Sequence, residues 1–164
     1  MNTGQMLLTL GALILLSVLT LRVNSSQLYT QDTMQNSKFG ILAISVASSI
    51  IEEASEKAFD TKTANDFVSN LNELTTSAGL GPENGETQDM FDDFDDYEGY
   101  KDTISTLPSA VFNVSCIVTY VDPDLEGLTT NNRTWHKQLV VTVASPSMAD
   151  TIQMTKIFSY WKFP

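Results

Sequence analysis

The chain has 164 residues, with 9 Lys and Arg set against 20 Asp and Glu for a formal net charge of −11. Hydrophobic residues make up 42% and charged residues 18%, a balance that excludes a wholly disordered chain and fits one domain of ordinary size. So few cations offer no basic face for nucleic acid, and the single Cys116 and single His136 exclude an intrachain disulfide, a Cys-based zinc site and paired-His metal motifs.

No charged side chain precedes Arg22, and the run from Met6 to Leu21 is apolar apart from Thr9, Ser17 and Thr20. At about 1.5 Å per residue that run gives roughly 24 Å of helix, and extending it to Gly4 and Arg22 approaches the ~30 Å hydrocarbon core. Two readings compete. A secretory signal peptide asks for Lys or Arg before the apolar run and a small-residue cleavage site behind it. Met1 to Gly4 carries no cation, and Arg22 to Gln27 offers no such site, so a retained membrane anchor fits better. Arg22 follows the span, so charge specifies its orientation weakly.

Behind the span, Phe39, Leu42, Ala43, Val46, Ala47, Ile50, Ala54 and Ala58 step by three and four, the spacing of an amphipathic helix. Ser45, Ser48, Glu52, Glu53 and Glu56 occupy the other side. One nearly continuous helix is expected from about Gly4 to Phe59, transmembrane over 5–22 and amphipathic over 23–60.

Positions 61–109 read as a polar and acidic loop region. A short helix is expected from Asn65 to Thr75, with Phe67, Val68, Leu71 and Leu74 on one side, ended by the Gly79-Leu-Gly-Pro82 turn. Acids then gather: Glu83, Glu86, Asp89, Asp92, Asp93, Asp95, Asp96, Glu98 and Asp102. One reading is a solvated acidic loop. The other is a Ca²⁺ site, since that ion takes several hard oxygen ligands, with Asp92, Asp93, Asp95, Asp96 and Glu98 as the candidates. Their spacing does not follow the helix–loop–helix calcium pattern. Phe91, Phe94, Tyr97 and Tyr100 recur every three residues and predict an apolar edge pinned on the domain.

An antiparallel sheet is expected over 110–164. Phe112, Val114, Cys116, Val118 and Tyr120 alternate with Asn113, Ser115, Ile117 and Thr119, a half-buried strand. Further strands are predicted at Trp135 to Ala144 and Thr151 to Trp161, joined as a meander by a loop with Pro123, Gly127 and Asn131-Asn132 and by a turn at Pro146. The Phe39 to Ala58 face is the natural cover, which gives an α+β fold: a long N-terminal helix on a small antiparallel sheet. Cys116 reads as a small buried hydrophobe and His136 as a surface histidine. With no nucleophile elbow or phosphate-binding loop, the chain is not read as an enzyme, and no cofactor is expected beyond the calcium question.

This architecture resembles the type IV pilins and type II secretion pseudopilins. The resemblance rests on Gly4-Gln5-Met6-Leu7-Leu8-Thr9-Leu10 at the start, the Asp-rich Phe91 to Tyr100 segment and the Lys137 to Ser145 strand. It implies that 1–4 is a leader cut after Gly4 by a prepilin peptidase and that Gln5 becomes N-methylated. It also implies a single-pass place in a bacterial inner membrane with an extracytoplasmic domain, and other pilin or pseudopilin subunits as partners. Gly11, Ala12 and Ser17 offer small surfaces for helix packing during such assembly. Thr9 stands where most members carry a Glu whose carboxylate meets a neighbouring subunit's charged terminus in lipid. A threonine hydroxyl can return to a helical carbonyl and needs no partner, which implies a minor subunit, with a filament tip as one option. The alternative of a single-pass protein whose outer domain binds a ligand or partner stays open.

Overall fold

The computed structural model describes residues 2–105, 110–125 and 128–161. Met1, Gly127 and positions 162–164, which entered the readings of the leader, the loop and the end of the sheet, lie outside them.

Helix α1 runs Thr3–Glu56, and the chain divides into two compact units, Met1–Lys38 and Phe39–Pro164. The first unit is helical, and the apolar side chains Met6, Leu7, Leu8, Leu10, Leu13 to Leu16 and Leu19 are all exposed. Among the described residues α1 is the one helix long and apolar enough to cross a membrane, and none of its most apolar stretch is buried. A hydroxyl in hydrocarbon needs a hydrogen-bond partner, and a carbonyl of its own helix can supply one. Ser17 donates to Leu13 O at 2.9 Å, Thr20 to Leu16 O at 2.8 Å, and Thr9 to Met6 O at 2.9 Å.

In the second unit α1 changes character. Phe39, Ala43, Ala47, Ile50 and Ala54 are buried, spaced as the sequence pattern predicts, while Leu42 and Val46 are half-buried at the margin. The stripe is mostly alanine, so the helix backbone can lie close to the sheet. Its counterpart is Phe112, Val114, Cys116 and Val118 with Leu139, Val141 and Val143. A long N-terminal helix packed on a small antiparallel sheet is therefore the fold, of the α+β class.

The sheet holds β1 (Lys101–Ile104), β2 (Phe112–Val121), β3 (Thr129–Thr130), β4 (His136–Ala144) and β5 (Ile152–Ser159). Spatial order is β1-β2-β4-β5, with β3 paired to the far end of β2. All pairings are antiparallel: Cys116 lies opposite Val141, and Val141 opposite Met154. The expected start at 110 is corrected, because Lys101 to Ile104 pair with Ser115 to Phe112 as an added edge strand. That strand has no buried side chain, so no apolar alternation marks it, and its charges suit an edge.

The helix expected from Asn65 to Thr75 is also corrected. A one-turn helix α2 (Thr61–Asn65) stops at Asp66, and a 3₁₀ turn covers Leu71–Glu73. Asn70 Oδ1 accepts from Asn72 N at 3.0 Å, a local bond that competes with helix formation. Val68 and Leu74 still reach a second core with Phe59 and Tyr120. Apolar spacing there reports burial, not helix.

Candidate functional site

The aromatic residues of the 83–102 segment decide where its acids go. Phe94 and Tyr97 are fully buried, and Phe91 meets Tyr97 edge-on with 5.2 Å between ring centroids. Three of the acids between them are carried inside: Asp93, Asp95 and Asp96 are all at most 2% exposed. For these three the reading of a solvated loop is overturned, while Glu83, Asp89, Asp92 and Asp102 stay exposed. Buried carboxylates need donors, and this segment supplies them from its own backbone. Asp93 Oδ1 accepts from Asp95 N at 2.8 Å and Asp96 N at 3.3 Å, while Asp96 Oδ2 accepts from Asp92 N and Asp93 N, both at 3.0 Å. The end of α1 is tied to the same loop, since Ala58 N donates to Asp92 O at 3.1 Å and Phe94 N to Ala58 O at 2.9 Å.

At the centre of this region lies Lys137, fully buried on β4. Its ammonium donates to Asp95 Oδ1 at 2.7 Å, to Asp60 Oδ2 at 2.9 Å and to Phe59 O at 2.8 Å. The Phe59 ring centroid is 4.6 Å from Nζ, a cation–π contact. Asp60 also accepts from Lys62 N, Thr75 N and Thr75 Oγ1, and the Tyr120 hydroxyl donates to Thr75 O at 2.7 Å. One ammonium thus joins the chain after α1, the acidic segment and the sheet.

Asp60, Asp93 and Asp95 offer three negative charges to that one ammonium, so they cannot all be ionised cheaply. Burial raises Asp60, but the Lys137 charge and the donors from Lys137, Thr75 and Lys62 outweigh it and hold the carboxyl below the usual range. Burial, and next the adjoining Asp93 carboxyl, push Asp95 up to about 8 against the pull of Lys137. Asp93 Oδ2 is buried without a hydrogen-bond partner. Burial also pushes Asp96 up to about 6. Hydrogen bonding to Glu83, and then burial, lift Glu86 to about 7.

The five candidate calcium ligands do not converge. Oxygens of Asp92, Asp93 and Asp96 lie within 4.8 Å of one another, but Asp95 turns to Lys137 and the Glu98 carboxylate accepts from Val118 N. Asp96 also belongs to a second gathering, with Glu83 and Glu86. A hard cation would therefore draw either on Asp92, Asp93 and Asp96 or on Glu83, Glu86 and Asp96, and the sequence spacing did not select Glu83 and Glu86. Cys116 is buried, as expected, and burial pushes its thiol up to about 12. His136 is half-buried, its Nδ1 at 2.7 Å from Ser159 Oγ, in place of the expected surface position.

The residues implicated in processing and assembly lie on the exposed apolar helix. Gly4 and Gln5 form its first turn, where Gln5 N donates to Asn2 O at 2.9 Å. A Cβ added at Gly4 or Gly11 would meet nothing within 4 Å, so neither glycine is required by packing within the chain. Ala12 and Ser17 are likewise exposed. No family model matches the chain, and no curated protein or solved structure matches it either.

Proposed function

We propose that this chain is a minor pilin or pseudopilin, a membrane-anchored structural subunit of a type IV pilus or type II secretion-like filament with a structural and not a catalytic role. The observation that carries the reading is α1 itself: one helix whose apolar stretch is uncovered and whose continuation is half of a helix-on-sheet core. A simple anchor needs only the span, whereas a filament subunit also needs its helix to be built into the domain that the filament displays. Thr9 satisfies its hydroxyl on Met6 O and leaves no charge in lipid to be neutralised by a neighbour, which fits a minor or tip subunit better than the bulk one. Anchorage is in the inner membrane with the Phe39–Pro164 unit outside the cytoplasm, and the partners are prepilin peptidase and other subunits.

Co-expression with a prepilin peptidase tests this reading. The expected product begins at Gln5, and Gly4→Leu leaves the precursor uncut and membrane-bound. A chain that stays uncut with Gly4 intact would instead support the single-pass protein with an outer ligand- or partner-binding domain.

A further inference from the structure

A primary amine and two carboxyl groups meet in a sealed part of the domain. Lys137 and Asp60 are fully buried and Asp95 is 2% exposed. Lys137 Nζ lies 2.7 Å from Asp95 Oδ1 and 2.9 Å from Asp60 Oδ2, with the Phe59 and Tyr120 ring centroids 4.6 and 5.4 Å away. One carboxylate would neutralise the ammonium, so a second acid in contact with it asks for another explanation. The two acids are not equivalent. Asp60 also accepts from Lys62 N, Thr75 N and Thr75 Oγ1, bonds that favour its carboxylate form. Asp95 has the Asp93 carboxyl beside it, a neighbour that favours the neutral acid.

We propose that Lys137 and Asp95 join in an intramolecular isopeptide bond between Nζ and Cγ, with Asp60 as the residue that moves the protons. Asp60 takes one proton from the ammonium, which leaves a neutral amine; in a sealed pocket that transfer removes two charges at once. The Nζ lone pair attacks Cγ of the Asp95 acid and forms a tetrahedral carbon. Asp60 returns its proton to the departing hydroxyl and takes up the surplus proton from nitrogen, so that water leaves and the remaining oxygen closes to the amide carbonyl. The three ammonium protons and the one on the Asp95 acid end as one amide hydrogen, two in water and one on Asp60, and nothing is oxidised or reduced. Groups held in this way react at effective concentrations of roughly 10⁵–10⁸ M, and burial keeps bulk water from the product. The freshly folded chain carries the ion-paired network with its pH response, and the bond accumulates from it. It ties the acidic segment to β4 across 42 positions and is independent of leader cleavage.

The experiment is mass spectrometry of the full chain, purified in detergent, aged and then fully denatured, followed by tryptic mapping. Denaturation breaks an ion pair and leaves an amide, so the expected mass is lower by one water than the sequence requires, whichever N-terminus the chain carries. Trypsin should fail to cut after Lys137, and 134–156 should emerge joined to 63–101, with fragment ions placing the branch at Asp95. Lys137→Arg keeps the positive charge without a nucleophilic amine, and Asp95→Ala removes the carboxyl, so both should give the full mass and the ordinary peptides. Asp60→Asn keeps the side-chain shape but takes no proton, and should slow accumulation of the joined peptide by about tenfold or more. Circular dichroism of each variant separates loss of the bond from loss of the fold, and the unsubstituted chain decides the matter by itself. A full mass in the aged chain, loss of water without the joined peptide, or a branch at Asp60 would overturn the proposal. Unslowed joining in Asp60→Asn would overturn the role given to Asp60.

Discussion

Lys137 shows how much one residue can hold. Its replacement by Met leaves Asp60 facing an apolar surface with its neutralising charge gone, and should cost about 3–5 kcal/mol. Combining Lys137→Met with Asp60→Asn removes the two opposed charges together and should recover much of that loss, as read by denaturant unfolding of the full chain in micelles. Protonation gives the second residue-scale prediction. Asp95 is raised in the folded state from its ordinary 3.8 to about 8, so its contribution is complete below 3.8 and is lost as pH rises through 8. Asp60 is lowered, so its contribution is present above its ordinary value and is lost only as pH falls through the depressed one. Stability should therefore decline between pH 5 and 8, by at most about 1.4 kcal/mol per unit for one group, and Asp95→Asn should flatten that slope in melts across this range. The sequence carried a usable signal for Lys137. The alternation that puts Leu139, Val141 and Val143 inside puts Lys137 on the same face, and a buried lysine implies nearby carboxylates. Which acids answer it was not legible, because Asp60 and Asp95 are 77 and 42 positions away.

At the scale of elements, the α1–sheet contact rests on small side chains in close approach. Ala43→Leu forces several methyl groups into a fully packed interface and should cost about 1–3 kcal/mol. Ile50→Asp buries an unpaired charge and should cost about 3 kcal/mol or more, whereas Val46→Asp, at the half-buried margin, should cost less. Near-UV circular dichroism melts of the three variants give the ordering. The acidic segment behaves as an element as well. If it takes a hard cation through Asp96, calcium should raise the melting temperature more than magnesium at matched ionic strength, and Asp96→Asn should remove the difference. An equal rise with monovalent salt would assign the effect to screening. Long-period patterns made α1 and the three long strands legible, because each buries a whole face. The 65–75 segment defeated the same rule: Val68 and Leu74 are buried from irregular chain on either side of the Leu71–Glu73 turn, so their spacing mimics a helix with which the Asn70 side-chain bond competes. β1 has no buried face to be read.

The whole molecule combines two physically different surfaces in one chain. The Met1–Lys38 unit presents apolar side chains with no protein cover, and Thr9, Ser17 and Thr20 in its apolar stretch return their hydroxyls to carbonyls of the same helix. Phe39–Pro164 buries its apolar face and keeps an acidic exterior. The proposed processing of the apolar helix into a filament-subunit anchor is tested by mass spectrometry of the chain's N-terminus from native membranes. The expected terminus is Gln5, with a mass lower by Met1 to Gly4 and higher by one methyl group. An intact Met1 terminus, or a chain beginning near Ser26, would contradict it.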